Sequence, residues 1–320
     1  MQKRRMLSSS TSGTAPRLAA LLPLRIHGNR DLHEAERARH LLDSLSRYAA
    51  EGTFDEFLIV MRPDEVDAGR EAFENRTGLN VRIVDETELV PEIAGDEKLS
   101  GWSKQQIIKL AGAARLDADF VLTFDADVLC VHPLSKDILL PGGKALIDPS
   151  ATHRPWWWSA SARKLGVGRP GNEETIGVTP VLMSTEICRR ALERLATRAR
   201  NADWYEYLVR PLRQGAPHVY LPRQRYLFRW SEYTLYFLTA REDGLLDRYH
   251  VRAGTPERPM HLLSRKSIWH ATDLDTMRER LRHPDPDSLF LVVQSNMLLP
   301  YDVVREELAA AGLIEPAKGD

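Results

Sequence analysis

Phe120-Val121-Leu122-Thr123-Phe124-Asp125-Ala126-Asp127 is the stretch whose reading decides the fold. A five-residue, mostly apolar strand that ends in acid-small-acid places two carboxylates at the rim of a sheet. Side chains at i and i+2 of an extended segment point the same way, and Ala126 between them leaves room for a bulky ligand. Two hard, anionic oxygen donors facing one point suit Mg²⁺ or Mn²⁺, ions usually shared with substrate phosphates. The stretch therefore points to a diphosphate-bearing substrate.

Outward from this strand, the first half of the chain alternates strands and helices. Strands are expected at Leu18–Leu24, Phe57–Met61 and Val81–Val84, and helices at Asp31–Tyr48, Glu65–Glu74 and Ser103–Leu116. Such alternation predicts an α/β fold with a mainly parallel, doubly wound, Rossmann-like sheet. The second half is less regular: a Trp/Gly/Pro-rich stretch from Pro155 to Pro180 precedes Val181-Leu182-Met183 and a helix from Glu186 to Arg200. The expected organisation is a tail over 1–15, a nucleotide-binding half over 16–150, a substrate-binding half over 151–300 fused around the same sheet, and a C-terminal helix and tail over 301–320.

In open α/β sheets ligands bind beyond the carboxyl ends of the strands. The residues just after each expected strand are Arg25, Arg62, Asp85 and the Asp125/Asp127 pair, each able to face a bound nucleotide. Any post-strand loop is polar, so each taken singly is weak. Asp117-Ala118-Asp119 repeats the acid-Ala-acid pattern but precedes the strand, and five residues at ~3.3 Å each put it roughly 17 Å away. It is expected to end one helix and start the strand. Asp273/Asp275 and Asp285/Asp287 are also spaced acids, with no apolar strand leading into either.

The helix before the strand supports the same edge. Ser103 and Gln106 fit a capping box, which places the helix start at Trp102-Ser103. Ile107, Leu110, Ala111 and Ala114 form an apolar stripe, with Lys104, Gln105 and Lys109 on the more polar side. A helix packed antiparallel to the strand brings its positive end and Lys104 near a phosphate-bearing ligand at Asp125.

Composition bounds the remaining classes. The chain has 320 residues, enough for one large or two modest domains. Its 44 basic and 45 acidic side chains give a formal net charge of -1. No bulk field therefore drives nucleic-acid or membrane binding. No run approaches the ~18 apolar residues of a spanning helix. Cys130 and Cys188 are too few for a disulfide or zinc framework and suit a reducing cytosol. The basic start, Met1 to Arg5, leads into Ser8-Ser9-Ser10-Thr11-Ser12-Gly13-Thr14, which reads as a disordered tail rather than a signal peptide. The expectation is a cytoplasmic protein.

Gly101-Trp102-Ser103-Lys104-Gln105-Gln106-Ile107-Ile108-Lys109-Leu110, followed by the strand into Asp125-Ala126-Asp127, resembles the metal-dependent nucleotide-sugar glycosyltransferases of the A-type fold. The likeness is greatest to bacterial members of uncertain substrate associated with surface polysaccharide synthesis. Ser231-Glu232-Tyr233-Thr234-Leu235-Tyr236 is similar to an acceptor-side acidic motif, and Ser267-Ile268-Trp269-His270 to a segment returning a histidine to the metal. The resemblance spans roughly residues 16–300 and is most specific from Trp102 to Asp127.

The resemblance implies a division of labour. Asp127 would bind Mn²⁺ or Mg²⁺, Asp125 the metal or the donor ribose, and His270 would complete the ligands; an imidazole ligand tilts the choice toward Mn²⁺. The ion would offset charge on the leaving nucleoside diphosphate, helped by Arg62 and Lys104, with Arg25, Asp85, Gln105 and Ala126 also on the donor side. Glu232 would be the acceptor-facing acid: a general base in an inverting transfer, or a group binding the acceptor in a retaining one. Within Trp156-Trp157-Trp158, Trp157 offers an aromatic platform to an acceptor sugar. Glu174, beside Glu173 and Thr175, is a further acceptor candidate, and Gln294-Ser295-Asn296 follows a strand at Leu289–Val293. The implied partners are a nucleotide-diphosphate sugar donor and a saccharide or lipid-linked acceptor, with no nucleic acid and at most peripheral membrane contact.

Two other readings compete. Phe124-Asp125-Ala126-Asp127-Val128 resembles the nucleophile motif of haloacid-dehalogenase-type phosphatases. That motif opens its domain near the first strand, whereas here about 100 residues of α/β pattern come first, and no later Lys plus paired-acid segment follows. A catalytically inactive nucleotide-sugar-binding protein is the other, against which stand Asp125, Asp127, Lys104 and Glu232 together. A pyrophosphorylase-type nucleotidyltransferase would show a Gly-rich, Arg-containing loop after its first strand, and Leu24-Arg25-Ile26-His27-Gly28-Asn29 lacks that glycine density.

Overall fold

A computed structural model describes residues 15–27, 33–74, 78–150, 155–171, 175–200, 202–213, 228–270, 274–295 and 299–316. The expected tail therefore lies almost wholly outside the described residues. The central sheet is built from β1 (Leu18–Pro23), β2 (Glu56–Met61), β3 (Val81–Asp85), β4 (Phe120–Thr123) and the strand Val181–Ser184, in the order β3-β2-β1-β4-(181–184). The first four are parallel, with Leu18 opposite Phe120 and Pro23 opposite Val60; Val181–Ser184 runs antiparallel along β4. The fold class is α/β with a mainly parallel sheet, as the alternation predicts.

Every residue of β1 is buried because helices cover both faces. This is why the strand reads as an unbroken apolar run rather than an alternating one. Alternate residues feed two cores. Ala19, Leu21, Leu58 and Val121 pack with Trp158, Ile187 and Tyr236. Leu18, Ala20, Leu22 and Phe57 pack with Leu41, Phe124 and Phe290. Around the strands lie α1 (Glu34–Tyr48), α2 (Val66–Phe73), α3 (Glu86–Leu89) and α4 (Gly101–Ile107). Among the described residues no helix is long and apolar enough to cross a membrane.

Two local features place the site. The first is the helical run 101–115. It starts earlier than the capping-box reading predicts, because the side chain of Ser100, not Ser103, caps it by accepting from the Ser103 N–H at 3.2 Å. After α4 it widens into a π turn, Ile108–Gly112, before a last α turn, Ala113–Arg115. The extra residue rotates the helical faces, and Lys109, expected on the polar side, is instead 1% exposed.

The second feature is a small sheet in which β5 (Val128–Cys130) pairs antiparallel with Ser288–Val292, itself parallel to His261–Leu263. Just beyond that pairing the Val293 N–H donates to the Asp127 carbonyl at 3.0 Å. The helix Tyr301–Ala310 packs Val304 and Leu308 against Leu129, Ile268 and Met277 behind this sheet.

Candidate active site at the carboxyl edge of the sheet

Beyond the carboxyl ends of β1, β2 and β4 lie two cavities that share Pro23 and Gln105 in their walls. One, of about 330 Å³, is lined by Asp125, Ala126 and Asp127 together with Glu34, Trp102, Trp157, Arg229, Gln294 and Ser295. The other, of about 300 Å³, is lined by Arg25, Arg62, Lys104, Glu86 and Glu97 over the apolar residues Leu24, Val60, Leu99 and Ile108.

The acid cavity owes its geometry to groups behind it. Asp125 Oδ1 accepts from the Lys109 ammonium at 2.5 Å, and Asp127 Oδ2 accepts from the Ser295 N–H at 2.8 Å. Burial, then the neighbouring Asp125 charge, pushes Asp127 up to about 6, against the pull of the Ser295 N–H, Arg37 and Lys109. Burial also raises Glu34; Arg25 opposes this, and Asp125 and Asp127 add to it. Burial works to lower the Lys109 pKa, but Asp125, Tyr233 and Glu232 outweigh it and hold the ammonium above its usual range. Arg37, buried beside α1's first turn, donates to the Val293 carbonyl at 3.0 Å and steadies the same loop.

Two aspartates that line one cavity, with Asp127 raised by burial and its neighbour's charge, form a donor set that suits a divalent cation. Such a site supplies two carboxylates and leaves the remaining positions to phosphate and water.

The cationic cavity is less neutralised on one side. Arg25 Nε is buried with no hydrogen-bond partner among the described residues. Lys104 pairs with Glu86 at 3.2 Å, and Arg62 with Asp64 at 3.0 Å.

Of the residues singled out in the sequence, Arg25, Arg62, Lys104 and Gln105 come together at the cationic cavity. Gln105, Asp125, Ala126, Asp127 and Trp157 line the acid one. Three others are placed differently. Asp85 lines neither cavity; its Oδ1 accepts from the Thr87 N–H at 2.6 Å and hydroxyl at 2.8 Å, which caps α3. Glu86, one residue on, lines the cationic cavity instead.

His270 is exposed and lines neither cavity. Its segment does reach the site, where the Gln294 N–H donates to the Ile268 carbonyl at 2.9 Å. Two residues later, however, the histidine is outside. Among the described residues no three His, Cys, Asp or Glu side chains gather to hold a metal. Without an imidazole in its lining, the acid cavity does not favour Mn²⁺ over Mg²⁺.

Glu232, expected to face an acceptor, is 1% exposed and sits behind the cavity wall. Its Oε1 is 3.8 Å from the Lys109 ammonium, and burial, against the pull of Lys109, pushes it up to about 7. Its backbone N–H donates to Gln106 Oε1 at 3.3 Å at the start of the helix Glu232–Glu242. Glu173, Glu174 and Asn296 lie outside the described residues.

Sequence reasoning missed Lys109 as a buried counter-charge, and it missed Glu34, Arg37, Glu86 and Arg229. Lys109 carried one signal: a lysine inside a run that is otherwise apolar from Ile107 to Ala114. Arg229 carried none; its guanidinium carbon lies 5.0 Å from the centroid of the Trp102 ring, and Trp102 and Trp157 are 6.0 Å apart.

The arrangement defines a class: an α/β protein whose sheet edge joins an acid-lined cavity to a cation-lined one. A family model matches residues 15–314, and the chain belongs to that family, described as a family of unknown function (DUF6492). No curated protein matches the sequence.

Among solved structures, the galactosyltransferase LgtC in complex with donor and acceptor sugar analogs is similar at 13% identity over 94% of this chain and 97% of that one, with a TM-score of 0.43. Mouse xyloside xylosyltransferase 1, in its apo form, is similar at 14% identity over 82% and 89%, with a TM-score of 0.42. A 4-diphosphocytidyl-2C-methyl-D-erythritol synthase from Anaerococcus prevotii DSM 20548 is similar at 19% identity over 62% and 84%, with a TM-score of 0.32. All three are distant likenesses of chain path.

Proposed function

We propose that the protein is a glycosyltransferase that moves a sugar from a nucleotide-diphosphate donor to a saccharide or lipid-linked acceptor, aided by Mn²⁺ or Mg²⁺ held by Asp125 and Asp127. One observation carries the reading: the acid cavity and the cationic cavity share a wall at Pro23 and Gln105. A nucleoside diphosphate needs that sequence of environments, with cations and apolar walls at one end and a two-carboxylate cation site at the other.

The chain's own groups have distinct tasks. Lys109 and the Ser295 N–H fix the two carboxylates, and the Arg25 side chain, whose buried Nε has no hydrogen-bond partner among the described residues, neutralises phosphate oxygens. A bound divalent cation would offset the charge that develops on the leaving diphosphate. Trp102 and Trp157 present aromatic faces to an acceptor ring, with the Arg229 guanidinium beside the Trp102 ring at the same wall. Glu34, whose burial raises its pKa, is the lining carboxylate outside the metal pair and takes the hydroxyl proton in place of the enclosed Glu232. A cytoplasmic setting, surface-polysaccharide assembly and peripheral membrane contact belong to the same reading.

The test is calorimetric titration of nucleoside diphosphates with and without Mn²⁺, on the wild type and Asp127→Asn. Metal-dependent binding lost in the variant supports the proposal. Binding indifferent to both metal and substitution overturns it.

A further inference from the structure

The cationic cavity contains a pattern that the charge count alone does not explain. Its walls are the buried side chains of Leu24, Val60, Leu99 and Ile108, which suit the faces of a planar ring. Set into them is one carboxylate–ammonium pair, Glu86 Oε1 and Lys104 Nζ at 3.2 Å. Glu86 is 6% exposed, and its other carboxylate oxygen has no hydrogen-bond partner among the described residues. Asp85, by capping α3, fixes the turn that presents Glu86 at the first helical position.

Side by side, this pair presents one donor and then two acceptor sites, because an ionised carboxylate only accepts and an ammonium only donates. The nucleobases differ in what they offer to such a row. Guanine shows O6 as acceptor, then N1–H and the 2-amino group as donors, which is the complement. Uracil and thymine show acceptor, donor, acceptor, so one carboxylate oxygen meets a carbonyl. Cytosine and adenine show an amino donor beside a ring-nitrogen acceptor; with the ring nitrogen on Lys104 and the amino group on Glu86 they make two contacts and leave the second carboxylate oxygen unpaired. A site built to hydrogen-bond one edge rejects analogues that leave its buried polar groups unpaired.

We infer that the apolar slot takes a guanine base, with Lys104 on O6 and Glu86 on N1–H and the 2-amino group, so that the donor is a guanosine-diphosphate sugar. The inference rests on the glycosyltransferase reading and narrows its substrate class.

Calorimetric titration of the full-length protein in Mn²⁺ with GDP, IDP, ADP, UDP, dTDP and CDP tests it. GDP should bind tightest, by roughly 10-fold or more over UDP; IDP, which lacks the 2-amino group, should bind roughly 5–10-fold more weakly than GDP. Glu86→Gln should erase the GDP preference over UDP, because the amide puts a donor where one of the two acceptors stood, and Lys104→Met should weaken GDP and IDP alike. Unchanged melting curves establish that both variants are folded. A pyrimidine or adenine nucleotide binding tightest, equal affinity for GDP and IDP, or an unaltered preference in Glu86→Gln overturns the inference while the transferase reading stands. Failure of every nucleotide to bind overturns both.

Discussion

At the amino end of β4, Asp117-Ala118-Asp119 lies in solvent. The Asp117 side chain is 95% exposed and pairs with Arg17, and Asp119 accepts the Arg17 backbone N–H at 2.8 Å. At the carboxyl end of the same strand, Asp125-Ala126-Asp127 faces a cavity and is met from inside the protein by Lys109. The residue pattern is the same, but the physical setting is not. An exposed pair is screened by water and contributes about 0–1 kcal/mol. A buried ammonium stays charged because carboxylates surround it, and removing one member strands the rest in low dielectric. Acid-Ala-acid therefore acquires a chemical role from its position relative to the strand, and from a counter-charge supplied by the core.

Substitutions at the two ends should separate them. Lys109→Met leaves Asp125 and the enclosed Glu232 uncompensated and should cost about 3–5 kcal/mol in urea denaturation. Arg17→Met should cost less than about 1 kcal/mol; equal losses would erase the distinction. Asp127→Asn should reduce donor binding or transfer by about 10²-fold without unfolding the chain, whereas Asp117→Asn should change either by less than about 2-fold. Steady-state kinetics or calorimetry reads both, and a comparable loss at Asp117 would break the contrast.

The amino end is expected to matter for stability through its neighbours. The Ser184 N–H donates to the Tyr236 hydroxyl at 2.7 Å, and that hydroxyl lies 2.6 Å from His250 Nε2. Burial lowers His250 to about 4 from its ordinary 6.5. The unfolded chain then takes up the proton first, so the neutral histidine's stability is complete above pH 6.5 and declines as pH falls toward 4. Between pH 7 and pH 5 the loss should be about 2 kcal/mol, and His250→Phe should flatten that slope. The smallest effect concerns the carboxyl end alone. With nucleoside diphosphate at ten times its Kd, chelating the divalent cation should remove about 1.4 kcal/mol of ligand stabilisation, read as a lower Tm; Asp125→Asn should already lack it.

Much of the sheet was legible because its strands are buried on both faces and leave unbroken apolar runs at Leu18–Pro23, Phe57–Met61 and Phe120–Thr123. The two aspartates were legible for the same reason, since a strand's end locates them without any tertiary knowledge. Asp85 misled because a post-strand aspartate has two uses, ligand contact or helix cap, and here the Thr87 N–H takes it. Lys109 misled because a π turn changes which face each residue occupies, a shift that 3.6-residue periodicity does not register. Glu232 and His270 depended on how distant segments pack: one is enclosed by the helix Glu232–Glu242 behind Lys109, the other is carried past the site after Ile268. Glu34 and Arg229 sit in no pattern at all, and only the folded chain brings them to the cavity.

The link between Asp127 and the strand Ser288–Val292 has a consequence for biosynthesis. Both the carbonyl and the side chain of Asp127 are held by N–H groups that follow that strand, those of Val293 and Ser295. A ribosome will have finished the central sheet, whose last strand is Val181–Ser184, long before it releases those two residues. Nascent chains, and products cut before residue 293, should therefore carry a formed sheet in which Asp127 is not yet held in place.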